Sequence, residues 1–164
     1  MQKVFMISDM HFGDENIIKY ENRPFENAKE MDDRIIENWN NTVSNNDKVF
    51  VLGDVSFYNK EKTTEIIKRL NGYKFLVIGN HDEGNTVSWW KEIGFDEVSR
   101  YPIIYNKFYI LSHEPLYLNE NMPYANIHGR IHKLKYDSKQ FFNVSVECIN
   151  YTPIDFENIK LLIV

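Results

Sequence analysis

The sequence predicts an α/β (α+β) fold in which sheets stack on one another and helices flank them. Three observations lead there. Short uninterrupted apolar runs rich in β-formers recur in the first half: "VFMIS" (4–8), "VFVLG" (49–53) and "FLVIG" (75–79). Strands buried on both faces have this look. Helical periodicity fills the gaps between the runs. The second half turns to hairpin and alternating patterns, and such a half buries its apolar face by stacking on the sheet of the first.

Each element has its own warrant. In the first gap Ala28, Met31, Ile35, Trp39 and Val43 recur at intervals of three and four, the period of a helix with one apolar face. Asn27 followed by Glu30 resembles a capping box with Asn as the cap. Asn45, Asn46 and Asp47 stop that helix. In the second gap Ile66, Ile67 and Leu70 predict another helix, with Gly72 after Asn71 as its C′ residue. The β-α-β-α-β order makes the strands parallel, with helices packed against them. Farther on, "IIYNKFYILSH" (103–113) reads as a hairpin turning at Asn106-Lys107. Ala125–Ile127 reads as a short apolar run, and Phe142, Val144 and Val146 as an alternating strand. "DFENIKLLIV" ends the chain as a short helix or a final strand. No repeat or low-complexity tract marks a boundary, so residues 1–164 read as one domain.

Composition narrows the function classes. Hydrophobic residues make up 43% of the chain, enough for a real core. No apolar run approaches the roughly 20 residues of a membrane helix. Asp9 and His11 break the N-terminal apolar segment, which argues against a secretory signal. The default expectation is a soluble cytoplasmic protein with no membrane partner. One cysteine, Cys148, allows no internal disulfide and reads as a buried structural thiol in a strand-like run. A net charge of −5 disfavours nucleic acid and anionic membranes as partners. Lys133, Lys135 and Lys139 form a local basic group, read as a solvated loop that can still greet an anionic substrate.

Chemistry clusters where strands end. The first apolar run ends in Ser8-Asp9-Met10-His11, the second in Gly53-Asp54, the third in Gly79-Asn80-His81-Asp82, and the hairpin in Ser112-His113-Glu114-Pro115. Parallel strands bring the first three ends together, and open α/β sheets bind ligands beyond the carboxyl ends of their strands. All five histidines (11, 81, 113, 128 and 132) fall at or just past a strand end and none in a helix. Each motif alone is weak: Asp-x-His is more often a turn or a cap, Gly-Asp is an ordinary turn, and Asn-His is a hydrogen-bonded loop. The ordered set points to a metal centre. Carboxylates, imidazoles and an amide without a thiolate exclude a cysteine-based zinc site. They suit Mn, Fe, Zn, Co or Ni, and ligand hardness does not choose among these.

With these pieces assembled, "DMH" (9–11), "GD" (53–54), "GNHD" (79–82), "SH" (112–113) and "HGRIH" (128–132), the chain resembles the calcineurin-like metallophosphoesterases, and most of all their small single-domain bacterial and phage type. "HFGDENII" and "NRPF" add to the likeness. The resemblance implies a four-layer β-sandwich flanked by helices, with two metals at the sheet edge. It places Asp9, His11, Asp54 and His132 on the first metal, and Asp54, Asn80, His113 and one more histidine on the second. The implied activity is hydrolysis of small phosphomonoesters or phosphodiesters, nucleotides among them, by a metal-activated hydroxide. The implied cofactor is one or two divalent ions, manganese first, with Fe, Zn, Ni, Co and Mg as alternatives. His81, beside the ligand Asn80, is the candidate to protonate the leaving oxygen or stabilise the transition state. Asp82 either orients His81 or caps its loop, the latter being preferred.

One position departs from the pattern. Where the family carries Gly-His-x-His, this chain has Gly129-Arg130-Ile131-His132. An arginine stays protonated and does not ligate. A unit charge about 5 Å from a dication at an effective dielectric constant near 20 meets roughly 6–7 kcal/mol of unscreened repulsion. Three arrangements relieve it. Arg130 swings aside while water or His128 completes the second site; or the second site is weak and the guanidinium replaces part of its charge; or Arg130 faces the substrate phosphate with its planar fork. The preferred arrangement is a weakened second site with Arg130 near the substrate phosphate; an ion pair with a neighbouring acid is the plainer alternative. A catalytically weakened metal-binding or regulatory module is therefore the second functional reading, and a nuclease in the same fold the third. Among lesser candidates, Arg23 can reach a phosphate but is preferred as a helix-flanking ion pair, Glu114 reads as structural, and Trp89 and Trp90 can form a base-stacking wall but are preferred as one partly exposed and one core ring.

Overall fold

Strand β1 (Val4–Ile7) runs through the interior of a sheet and delivers the chain to its carboxyl edge at Ser8. The structure, a computed structural model, describes residues 1–163. Helix α1 (Glu15–Tyr20) follows at once, capped by Asp14, whose carboxylate accepts from the N–H groups of Asn16 and Ile17. Six residues are too few for periodicity to announce. Helix α2 (Ala28–Thr42) buries Ala28, Met31, Ile35 and Trp39, the stripe the spacing predicts. Asn27 Oδ1 accepts from the Glu30 N–H at 2.9 Å. The Glu30 carboxylate returns to the N–H of Glu26 instead of that of the cap, at 3.0 Å. The helix ends at Thr42, before the expected stop, because Val43 turns extended. Asp47 ties the turn that follows by accepting from the N–H of Ser44.

Strand β2 (Lys48–Val51), helix α3 (Lys60–Arg69), strand β3 (Tyr73–Val77), helix α4 (Val87–Glu92) and strand β4 (Glu97–Ser99) complete the first half. Leu70 caps α3, so Gly72 sits at C″, one place beyond the expected C′. Its φ of +97° turns the chain into β3, and a side chain there would press on the Asp47 carbonyl. Strands β1 to β4 pair in parallel, in the order β4-β3-β2-β1.

Strands β5 (Ile103–Tyr105) and β6 (Tyr109–Leu111) form the expected antiparallel hairpin. Asn106 and Lys107 take φ of 51° and 60°, the left-handed pair that mirror-image hairpin turns require. Strands β7 (Ala125–His128) and β8 (Phe141–Asn143) join in parallel, giving a second sheet of order β5-β6-β7-β8. The expected single strand over Phe142, Val144 and Val146 is not formed. The β8 strand ends at Asn143, and residues 146–148 make a turn of 3₁₀ helix. Val144 packs between the sheets while Val146 packs on the helical side of the first sheet. The alternation thus serves two cores as the chain crosses from one sheet to the other. The crossing is pinned by Val144 N–H to the His128 carbonyl, Ser8 N–H to the Val144 carbonyl and Val146 N–H to the Ser8 carbonyl, at 2.8–3.0 Å. Strand β9 (Ile154–Asp155) then adds antiparallel beside β1, and helix α5 (Phe156–Leu162) follows, so the C-terminal stretch forms the helix of its two expected alternatives, with Val164 outside the described residues.

The result is two mixed sheets flanked by helices. Phe5, Ile7, Val49, Val51 and Leu76 face the helices, and Met6, Phe50, Leu52 and Val77 face the second sheet. The first sheet is therefore buried on both faces, as its continuous apolar runs predict. Among the described residues no helix is long and apolar enough to cross a membrane. The carboxyl ends of β1, β2, β3, β6 and β7 open on one edge, where the polar residues gather.

Candidate metal centre

Backbone pairing continues past the strands and fixes this edge. The N–H groups of Asp9, His11 and Phe12 donate to the carbonyls of Gly53, Asp54 and Val55 at 3.0–3.1 Å. The N–H of Gly129 donates to the His113 carbonyl at 2.9 Å. Close approach requires glycine here: a Cβ on Gly129 would overlap Ser8 Oγ and Asp9 Oδ2, and one on Gly79 would overlap Asp54 Oδ1. Of the ten non-glycine residues with positive φ among the described residues, five lie here: Asp9, His11, Asp54, Arg130 and His132. Left-handed backbone at such residues costs of order 1–3 kcal/mol each and persists only where the surroundings over-determine it.

The side chains converge. His11 Nε2 lies 3.7 Å from Asp9 Oδ1 and 3.4 Å from Asp54 Oδ2. His132 Nε2 lies 3.9 Å from Asp9 Oδ1. His113 Nε2 lies 3.5 Å from Asp54 Oδ2 and 2.8 Å from Asn80 Oδ1. Asp54 Oδ2 thus stands between the tips of His11 and His113. Ligand atoms of Asp9, His11 and His132 fall within 4.8 Å of one another, as do those of Asp9, Asp54 and His113.

The donor set fits divalent metal. Asp9 Oδ1 and His11 Nε2 are buried and, among the described residues, have no hydrogen-bond partner. A buried polar atom left unpaired costs about 1–3 kcal/mol. Both orphans face the same space. The other side of each imidazole is held: His11 Nδ1 by Asp14 Oδ2 at 3.0 Å, His132 Nδ1 by Glu147 Oε2 at 3.0 Å, and His113 Nδ1 by the Leu52 carbonyl at 2.7 Å. Once such a ring is neutral, an acceptor at Nδ1 fixes the tautomer that leaves Nε2 as a lone pair, the arrangement of metal-ligating histidines. Asp9 Oδ2 is likewise held, by Ser8 Oγ, Arg130 N–H and Ser145 Oγ at 2.6–3.1 Å, leaving only Oδ1 to the site.

Sequence reasoning missed much of this support. Asp14 stands three residues after His11 and caps α1 with one oxygen while its other oxygen holds the imidazole. That spacing was visible. Glu147 carried no local signal. Arg23 is buried in an ion pair, as expected of it, but with Glu147 and not on a helix flank. It also donates to the carbonyls of Asp9 and Met10 at 2.7 and 2.9 Å, strapping the ligand loop from behind. Asp82 caps: it accepts from the N–H groups of Asp54, Val55 and Gly79 at 2.8–3.1 Å. Burial pushes its carboxyl up to about 6 against those bonds. Trp90 is the core ring, bonded through Nε1 to the Asp82 carbonyl, and Trp89 is partly exposed.

Three residues stand apart from the ligand groups. His81 is half exposed, with Nε2 3.9 Å from Asp54 Oδ2 and its N–H on Asp54 Oδ1 at 3.0 Å. His128 is buried against the rings of Tyr136 and Phe141, with Nδ1 on the Gly129 carbonyl, and burial holds it toward the neutral form. The structure does not bring it into a ligand group with the other site residues. Arg130 turns its half-exposed side chain outward, Nε 3.4 Å from Glu114 Oε1, and only its backbone N–H reaches the site. Cys148 is half-buried, not fully buried, with Sγ on the His132 carbonyl.

Two outcomes follow. Asp14→Asn keeps the α1 cap but has one carbonyl oxygen for two tasks, so its amide meets His11 Nδ1 and favours the wrong tautomer. Metal affinity falls about 10–100-fold with helix content unchanged, read by competition with a chelating dye and by circular dichroism. The second outcome concerns protons. Burial alone would keep His11 and His113 neutral, but the Asp54 and Asp9 carboxylates override it and push them from 6.5 to about 10 and about 9. In the metal-free protein both are therefore protonated at neutral pH and must lose those protons to ligate. Metal uptake near pH 7 releases protons, and affinity rises with pH through the window up to about 9–10. Titration calorimetry in buffers of different ionisation enthalpy measures the release.

Comparison with known proteins agrees with this geometry. A family model described as calcineurin-like phosphoesterase matches residues 2–161. An uncharacterised protein of Methanocaldococcus jannaschii is 38% identical over 174 residues, spanning 99% of this chain and 92% of that protein. The Gene 66 protein of Mycobacterium phage L5 is 27% identical over 85 residues, half of this chain and 41% of that one. A solved structure, a protein of unknown function from Aquifex aeolicus, superposes with a TM-score of 0.78 at 26% identity, over 99% of this chain and all of that one. With a match that runs nearly end to end, the chain belongs to the calcineurin-like phosphoesterase family.

Proposed function

We propose that the protein is a metal-dependent phosphoesterase that hydrolyses small phosphomonoesters or phosphodiesters, nucleotides included. Asp9, His11, Asp54 and His132 would hold a first divalent metal, manganese by preference, and Asp54, Asn80 and His113 a second. The observation that carries this reading is the pair of buried, unpartnered atoms Asp9 Oδ1 and His11 Nε2, aimed into one space beside Asp54. When bound, divalent metal supplies Lewis acidity at the phosphoryl oxygens and lowers the pKa of water.

The chain's own residues do the rest. Asp54 stands between the two imidazole tips and offers one carboxylate to both positions. The Asp82 bonds to Asp54 N–H and Gly79 N–H hold the two ligand loops at constant spacing. His81 is anchored by its backbone to Asp54 Oδ1, and its half-exposed ring reaches the mouth of the site. From there it donates a proton to the leaving oxygen.

The purified protein with added manganese is expected to hydrolyse p-nitrophenyl and bis-p-nitrophenyl phosphate. His81→Ala lowers kcat by about 10² or more, and Asn80→Ala lowers both metal content and turnover. Full activity in both variants sinks the proposed site.

Arg130 favours a second reading, a metal-binding module with weakened catalysis. With Arg130 turned to Glu114 and His128 turned away, the second set has only Asp54, Asn80 and His113. Elemental analysis separates the readings: one tightly held ion with no turnover supports the module, and two ions with turnover remove it. Arg130→His is expected to raise occupancy of the second position. Unchanged metal content would show that Arg130 is not the limiting defect.

A further inference from the structure

Phe57 is an apolar ring held at the mouth of a polar site. It lies three residues past Asp54 and is 46% exposed. Its centroid is 5.2 Å from that of His11, the rings being nearly parallel at 19°, and 5.1 Å from that of His81. It is absent from both hydrophobic cores among the described residues. Its backbone is fixed nonetheless: the Phe57 N–H donates to the Phe12 carbonyl at 2.8 Å. The next residue, Tyr58, is anchored by its hydroxyl to the buried Asp32 at 2.6 Å. A single exposed aromatic on a surface means little. This one is rigidly presented beside the imidazole that faces the leaving group, and core packing does not explain its position.

From this geometry we infer that Phe57 is the specificity-determining residue for the group attached to phosphorus, and that this group is flat and apolar, an aryl ring or a nucleobase. The inference rests on the phosphoesterase reading. An exposed aromatic face gives a planar ring offset-stacked or edge-to-face contact that a small alkyl group cannot match. A substrate with its phosphoryl group at Asp54 and its leaving oxygen at His81 carries its next atoms past Phe57. The ring therefore reads the shape of the leaving group while the metal ligands read only phosphate.

The test is calorimetric binding of non-hydrolysable phosphonates to manganese-loaded protein. Phenylphosphonate is compared with methylphosphonate, and 9-(2-phosphonoethyl)adenine with ethylphosphonate. Wild type is expected to prefer the ring-bearing member by about 3–10-fold. The pair showing the larger preference distinguishes aryl from nucleobase. Phe57→Ala is expected to abolish the preference and Phe57→Trp to retain it, with metal content equal to wild type in both. Equal affinity of wild type for ring-bearing and alkyl phosphonates overturns the inference and leaves the phosphoesterase reading standing. So does a preference that survives in Phe57→Ala. Loss of metal in Phe57→Ala also overturns it, since Phe57 would then be a cover for His11. Failure of any phosphonate to bind the metal-loaded protein overturns both readings.

Discussion

The structure is organised around two carboxylates that cannot comfortably share a buried space. Asp9 and Asp54 are both buried, and an oxygen of each falls within 4.8 Å of the other and of a His113 nitrogen. Like charges at that separation repel strongly where water is excluded. The facing imidazoles of His11 and His113 relieve part of this by holding protons in the metal-free protein. They relieve it incompletely, because Asp9 Oδ1 and His11 Nε2 still lack partners. A divalent cation would satisfy the carboxylates and, once the imidazoles lose their protons, their lone pairs at once, which would make folding this edge and binding metal two parts of one electrostatic problem.

Positive charge is supplied from behind as well. Arg23 is buried under the ligand loop, where it binds the carbonyls of Asp9 and Met10 and pairs with Glu147. Glu147 passes the constraint to His132. A guanidinium is suited to this because its rigid fork serves several acceptors without losing its charge. The same network explains how left-handed backbone survives at Asp9, His11, Asp54 and His132. Each strained residue has its backbone or side chain tied to a neighbouring segment, so relaxing one dihedral would break a buried hydrogen bond.

The legible parts of the fold were those whose pattern repeats over many residues. Strands β1, β2 and β3 announced themselves as continuous apolar runs because both of their faces are covered, and α2 because Ala28, Met31, Ile35 and Trp39 share one stripe. Short elements carried no such signal: α1, α4 and β4 have six, six and three residues. The segment after β8 misled because an alternating pattern shows only that alternate side chains are buried. It does not show that Val144 and Val146 are buried in different cores. The gathering of Asp9, His11, Asp54, Asn80 and His113 at one edge was legible because each sits immediately after a strand. Support from a distance was not: Glu147 lies 15 residues from His132 and 124 from Arg23, and only the fold brings them together.

Arg130 shows how a position can contribute to a site without its side chain. Its N–H donates to Asp9 Oδ2 at 2.8 Å, a bond that any residue other than proline can make. Its φ of +67° then directs the side chain outward toward Glu114. The architecture around Asp9 therefore tolerates exchange at this position, provided the backbone turn is kept. The two proposed metal positions are not equally insulated from such exchange. The first has carboxylates behind two of its imidazoles, Asp14 behind His11 and Glu147 behind His132, whereas His113 at the second has a single backbone carbonyl. A carboxylate behind an imidazole makes it a more basic ligand than a neutral carbonyl does. The first position thus retains strong donors whatever occupies residue 130. Under the proposed reading, the arginine at residue 130 would therefore bear on the second position alone, which Asp54, Asn80 and His113 would be left to hold.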